Sequence, residues 1–286
     1  MVPPKSKLGQ NFLRDEQAIR RIVAAIGDCS GRTVVEIGPG RGAITRELAI
    51  KAGRVVALEL DAALAVELAG DLSRSDSEGC TTVRIENVDV LTFDFRAVSD
   101  TAGQRLLVVG NLPYYITSPI LLKLAENACV LDRAVLMVQR EVAERVTAKP
   151  GTRDYGLLSV TVQLHGAVTP LFTLPPTSFS PSPEVHSTVF RWQFSPRFAE
   201  LAVHREAFLA FLRRAFALKR KTLANNLRAA GMEMGSIGEV LSRAGVEAQA
   251  RAEALTIETL AAVWREIQKE GAIPFGEMAP LDRSDL

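Results

Sequence analysis

The residues most able to do chemistry sit where short apolar runs end. Thr33-Val34-Val35-Glu36-Ile37 runs into Gly38-Pro39-Gly40-Arg41-Gly42, and a helical pattern follows from Ala43. A glycine turn between a strand and a helix lets a ligand approach the backbone beside a helix N-terminus. The third glycine comes one residue earlier than in the dinucleotide fingerprint GxGxxG. Glu59 ends the next apolar run, Arg54 to Leu58, about twenty residues on, where an acid can accept both hydroxyls of a ribose. Asp89 follows the third run, Val83 to Ile85, at the same expected edge. Gly38, Gly40, Glu59 and Asp89 together point to an adenosine-containing cofactor held without phosphate contacts.

The GxGxG form with these two acids resembles the S-adenosylmethionine (SAM) methyltransferases. A second constellation, Gly110-Asn111-Leu112-Pro113-Tyr114-Tyr115, resembles the motif of amino-methyltransferases acting on adenine or similar exocyclic amines. The adenine amino nitrogen is a poor nucleophile because its lone pair is delocalised into the ring. The amide oxygen of Asn111 and the carbonyl of Leu112 can accept its two N–H bonds, pulling the nitrogen toward sp³ geometry. Pro113 fixes the backbone, and Tyr114 offers a face on which the base can stack. No strong general base is required, since the methylated ammonium loses its proton readily. Between the last strands, the proline-stiffened segment Thr177 to Ser187 carries Phe179, a candidate for the other face of a flipped base.

A third feature is electrostatic. Between Arg205 and Arg228 there are seven Lys/Arg and one acid, Glu206. At helical spacing Phe208, Leu212, Phe216, Leu223 and Leu227 share one face, in one helix or in two with a break. Arg213 and Arg220 coincide seven residues apart, as do Arg214 and Lys221, with Arg228 beside them, and this basic stripe together with Lys219 suits phosphate contacts. Beyond Gly231 acids outnumber bases ten to five, so the whole-chain charge of +1 averages a basic face with an acidic remainder.

These residues need a sheet to bring them together. Strand-like runs (33–37, 54–58, 83–85, 106–109 and 134–138) alternate with helical stretches such as Ala18 to Ile26, Ala43 to Lys51 and Ala62 to Leu72. That alternation predicts an α/β fold with a mostly parallel central sheet. Ser159–Leu164 and Thr188–Phe194 read as two final strands, and Leu72–Thr82 as a solvated loop. After Ser195-Pro196 only helical patterns continue, predicting domains 1–195 and 196–286, the latter ending in a poorly ordered tail over 271–286.

With 286 residues, 47% hydrophobic and 23% charged, the chain has the make-up of a globular protein and excludes a disordered tail protein. Cys29, Cys80 and Cys129 form no CxxC pair, which points to a reducing compartment. His165, His186 and His204 lack metal-ligand spacing, so no metal is expected. The N-terminus lacks a signal-peptide apolar region, and no apolar run is long enough to span a membrane. A cytoplasmic protein follows as the expectation.

KLGQNFL (7–13), EIGPGRGAIT (36–45), GNLPYYI (110–116), the stretch from Ala148-Lys149-Pro150-Gly151 to Tyr155-Gly156-Leu157-Leu158-Ser159-Val160, and KRKTLANNL (219–227) occur together and in order. In this the chain resembles the ribosomal RNA adenine dimethyltransferases of the kasugamycin-resistance type, from about Lys7 to Leu227. The resemblance implies a Rossmann-like SAM-dependent methyltransferase domain with a small all-helical C-terminal domain. It implies that Asn11 and Leu13 close over SAM and that Gly38 lines its methionine end. Glu59 would hold the ribose, Asp89 would meet the adenine of SAM, and Asn111 would sit at the methyl-transfer point. The reaction implied is four methyl transfers onto two adjacent adenosines near the 3′ end of small-subunit rRNA in an assembling 30S particle, by a monomer. The family's loop usually reads close to FxPPPKVDS. This chain keeps Phe179 but has Ser182, Glu184 and His186 where Pro, Lys and Asp are common. Three alternatives share parts of the pattern: a large-subunit rRNA methylase, a ribosome-assembly factor whose methylation is secondary, and a DNA adenine methylase. The last is weakened because the sequence shows no evident target-recognition domain.

Overall fold

In the computed structural model, residues 11–74 and 82–270 are described. Lys7 to Gln10, Cys80, most of the expected Leu72–Thr82 loop and the 271–286 tail lie outside them. The chain divides into two compact units. One runs to Ala143 and resumes over Gly166–Ser195; the other is Glu144–His165 together with the chain from Pro196 on.

The first unit is a seven-stranded sheet. Its elements are β1 (Phe12–Leu13), α1 (Glu16–Ile26), β2 (Thr33–Ile37), α2 (Ala43–Lys51), β3 (Arg54–Glu59), α3 (Ala62–Ser73), β4 (Thr82–Asn87), α4 (Phe95–Ala102), β5 (Leu106–Asn111), α5 (Thr117–Glu126), β6 (Leu131–Gln139), β7 (Gly166–Leu174), β8 (Phe179–Ser180) and β9 (Ser187–Phe194). The strand order is β4-β3-β2-β5-β6-β9-β7. The first five are parallel, and the antiparallel β9 and β7 complete the sheet. β2 is buried along its whole length, as the apolar run requires of an inner parallel strand. α1 begins at an Asp15 cap, whose carboxylate accepts from the Ala18 N–H at 3.0 Å. Ile19, Ile22, Val23 and Ile26 on its inner face join Val34, Val55, Leu107 and Val109 in one core cluster.

The sheet is wound outward in both directions from β2 and β5, so the chain reverses between these two neighbours. Ile37 pairs with Leu58 on one side and Gly110 on the other. The carboxyl ends of β2, β3 and β5 are therefore level, with a crevice where ligands bind in open parallel sheets.

The second unit contains the end of α6 (Arg140–Val146), then α7 (Leu157–Leu164), α8 (Arg205–Ala215), α9 (Leu223–Ala229), α10 (Met234–Arg243) and α11 (Ile257–Lys269). The expected strand over Ser159–Leu164 is instead the helix α7. Its residues are buried nearly all round, which erases the period that separates helix from strand. Ser159 fixes its start: its hydroxyl accepts from the Gly156 N–H at 3.0 Å and donates to the Arg145 carbonyl at 2.6 Å. Tyr155, Val160 and Leu164 pack with Phe208, Phe211 and Trp264 in one core, so residues 144–165 belong with the C-terminal helices and a single boundary near 195 is corrected. The missing strand is β7, hidden by Pro170; β7 ends the sheet, where a proline is tolerated.

The basic segment resolves into two helices, α8 and α9, with a turn between them. Asn226, only 3% exposed, holds that turn. Its Oδ1 accepts from the Leu218 N–H at 2.8 Å, and its Nδ2 donates to the carbonyls of Leu218 and Thr222. An Asn226→Ala change strands these backbone groups and should cost about 1–3 kcal/mol. Urea denaturation with an unshifted midpoint would contradict that role.

Candidate active site

The level strand ends gather a cleft of about 1100 Å³, counting its open mouth, at the β2/β5 crevice. Ten residues singled out by sequence line it: Asn11, Leu13, Gly38, Gly40, Glu59, Asp89, Asn111, Leu112, Pro113 and Tyr114. Gly38 and Gly40 hold φ of +67° and +54°, the left-handed region in which a side chain is strained. Next to Gly40 the chain is also crowded, since a Cβ there would lie 2.9 Å from the Phe12 ring.

Glu59 is 6% exposed and tied to the turn from both oxygens. Oε2 accepts from the Gly40 N–H at 3.0 Å, and Oε1 from the Asp61 N–H at 2.9 Å. Burial pushes its carboxyl above the ordinary range, and these two N–H groups oppose that. Each oxygen keeps a lone pair with which to accept a hydroxyl. Asp89 is anchored by the Leu91 N–H, which donates to its Oδ1 at 2.9 Å.

Asn111 ends β5. Its Nδ2 donates to the Asn11 carbonyl at 3.0 Å, which fixes the amide plane and leaves Oδ1 as the free acceptor. The Leu112 N–H donates to the Met137 carbonyl at 2.9 Å, pinning the backbone that carries the neighbouring carbonyl. Pro113 holds φ −61°, and its own carbonyl is taken by the Thr117 hydroxyl and the Ile116 N–H. The Leu112 carbonyl is thus separated from the turn's internal bonding. Tyr114 is held by its hydroxyl, 3.1 Å from Ser187 Oγ.

Phe179 is not in this cleft. It is 4% exposed and packs with Leu13, Leu174 and Val189 in the core of the first unit. The reason is register: β8 pairs antiparallel with β1, setting Phe179 opposite the inward-facing Leu13. The expected second aromatic wall is therefore absent in this arrangement.

Two side chains that spacing did not single out line the cleft as well. Phe12 lies over the glycine turn, with the Arg41 guanidinium 4.8 Å from its ring centre. Glu36, near the end of β2, is 2% exposed, and its Oε2 has no hydrogen-bond partner among the described residues. A charged residue inside an otherwise apolar strand was the available signal. Burial pushes its carboxyl up to about 7. A pKa raised on folding means that the folded state holds the proton longer. The stability from keeping Glu36 neutral is complete below about pH 4.5 and is lost as pH rises through about 7. Glu36→Gln should therefore gain on the wild type by on the order of 3 kcal/mol between pH 5 and pH 8. A stability difference that stays constant over that range in denaturant titrations would contradict this.

In the second unit, Arg213 and Arg214 are half-buried on the last turn of α8, while Lys219, Arg220 and Lys221 are exposed on the turn that follows. The Arg213 Nε is buried without a hydrogen-bond partner among the described residues. Arg220 adopts φ +67°, which lifts it out of the helical path. None of these five cations enters an ion pair among the described residues, whereas Arg243 in the same unit is bound by Glu239, Glu266 and Glu270. No group of three metal-ligating side chains is assembled among the described residues, and no helix there is long and apolar enough to cross a membrane.

A mostly parallel sheet with its glycine turn, buried acid and Asn-Leu-Pro-Tyr turn on one crevice defines a Rossmann-like methyltransferase. A family model described as ribosomal RNA adenine dimethylase matches residues 3–269, and the chain belongs to that family. It is 55% identical over 264 residues to the ribosomal RNA small subunit methyltransferase A of Acidobacterium capsulatum, covering 92% of this chain and 91% of that protein. To the enzyme of the same name from Koribacter versatilis it is 47% identical over 281 residues, covering 93% and 95%. Among solved structures, the fold matches a dimethyladenosine transferase from Plasmodium falciparum (TM-score 0.77, 23% identity, 91% and 98% covered). It also matches the 23S rRNA methyltransferase ErmE (TM-score 0.67, 26% identity, 90% and 100% covered).

Proposed function

We propose that the protein dimethylates the exocyclic amines of two adjacent adenosines near the 3′ end of small-subunit (16S) rRNA, on an assembling 30S particle in the cytoplasm, with SAM as methyl donor. The observation that carries this is the Asn111 amide, oriented by Asn11 at the strand end that faces the cleft. High identity to two small-subunit methyltransferases over nearly the whole chain favours the small subunit over the large.

The cleft suits SAM. The left-handed Gly38 and Gly40 leave a bare backbone, Glu59 has acceptor capacity for a ribose, and the orphaned Oε2 of Glu36 offers a buried acceptor to a cationic group. When bound, SAM supplies an electrophilic methyl carbon on its sulfonium. The chain's own task is to make a nitrogen attack it. Asn111 Oδ1 and the Leu112 carbonyl accept the two amine hydrogens, so the nitrogen pyramidalises and its lone pair, withdrawn from conjugation with the ring, is aimed across the cleft. Tyr114, braced by Ser187, forms a wall for the base. Once methylated, the nitrogen sheds its proton to water. Metal ions are not required by this scheme, and a monomer suffices for it.

Lys219, Arg220 and Lys221, with Arg213 and Arg214 behind them, would hold rRNA phosphates. The test is direct: the protein and SAM are incubated with undermethylated small subunits, and the rRNA is digested for mass spectrometry. Two methyls on each of two neighbouring adenosines are expected. No dimethyladenosine at that position would overturn the assignment.

A further inference from the structure

The two shortest strands tie the cosubstrate cleft to the loop of the target base. β1 supplies cleft wall through Phe12 and Leu13, and Asn11 just before it holds the Asn111 amide. The same strand pairs with β8, Phe12 opposite Ser180 and Leu13 opposite Phe179. The contact continues on one side, where the Arg14 N–H donates to the Ser178 carbonyl at 2.9 Å and the Ser178 hydroxyl to Asp15 Oδ2 at 3.2 Å. β8 leads into Pro181–His186, which is mostly exposed. Phe179, which would have to leave the core to meet a base, thus lies opposite Leu13 on the strand that walls the cosubstrate, between two residues that tie the strands together.

We propose that this β1–β8 ribbon couples cosubstrate occupancy to the Phe179 loop, with Phe12 as the positioning residue through which occupancy is felt. The inference rests on the methyltransferase reading above. Phe12 is the element of β1 that touches the glycine turn: its ring is packed against Gly40 and covered by Arg41. A ligand seated on Gly38 and Gly40 presses on that ring from below, and holding the ring holds β1. A two-residue strand has too few hydrogen bonds to stay formed by itself, so the stability of the ribbon follows what β1 is packed on. Ligand that contacts the formed ribbon shifts the equilibrium toward it, and the effect on the second site is reciprocal.

Hydrogen exchange reads this without turnover. S-adenosylhomocysteine, the demethylated product, is added to the full chain, and exchange is followed at Arg14, whose N–H donates to Ser178, and at Ser180, paired with Phe12; neither lines the cleft. Slowing of about fivefold or more is expected in the wild type, the lower end of usual coupling factors. In Phe12→Ala at saturating ligand the slowing should fall below about twofold, and Phe12→Leu should recover part of it. Unchanged exchange in the wild type with ligand bound, or equal slowing in Phe12→Ala, would overturn the coupling. The Leu variant decides the matter in the same way should the Ala variant fail to fold. Calorimetry on the same samples separates the two levels: no binding of S-adenosylhomocysteine at all would overturn the methyltransferase reading and this inference with it.

Discussion

Asn111→Ala is expected to reduce methyl transfer in a single turnover by about 10²–10³-fold or more, the usual effect of removing one preorganised hydrogen-bonding group from a reacting centre. Two things are lost at once. The amine loses an acceptor, and the Asn11 carbonyl loses the donor that placed it. SAM affinity should fall by much less, because Glu59 and the glycine turn remain. Asn111→Asp is the informative partner. It keeps an acceptor oxygen but cannot donate to Asn11, and it sets a carboxylate against a carbonyl, so transfer should still drop at least about tenfold. If both variants transfer within threefold of the wild type, Asn111 does not activate the amine. A variant inactive in transfer yet unchanged in subunit binding would also show whether any effect on assembly depends on methylation.

The second large effect is electrostatic. Reversing Arg220 and Lys221 to Glu should weaken binding to small subunits strongly at low salt while leaving SAM affinity unchanged. The slope of log Kd against log salt should fall by about 2, roughly one for each lost phosphate contact. Arg220 sits at φ +67°, a conformation that costs arginine and glutamate alike, so the reversal changes charge with little change in backbone strain. Filter binding across a salt series measures this, and an unchanged slope would remove these two residues from the rRNA contact.

The cofactor half of the site was legible because its parts are local: a strand, a glycine turn and an acid at the next strand end each carry their own signal. Glu36 escaped because an isolated charge in an apolar strand marks a position without saying what it faces, and only its orphaned oxygen in the cleft gives it a role. The residue types of its loop place Phe179 on a wall of the cleft. What decides its position is the register between Leu13 and Phe179, a pairing across more than 160 residues that no local pattern encodes. The helix α7 was missed for the opposite reason: burial all round left it no polar face to mark its period.

That same helix shapes how the protein must be made. Tyr155, Val160 and Leu164 leave the ribosome before β7 and β9, yet their core partners Phe211 and Trp264 come at least 47 residues after Leu164. The nascent chain therefore carries an apolar segment with nowhere to pack while the sheet around it is being completed. Stopping synthesis at Ser195 would not yield a free-standing catalytic fragment, because α7 would be left without its core. Each unit is threaded through the other in sequence: the first has all its residues by Ser195, whereas the second is complete only when α11 has been translated.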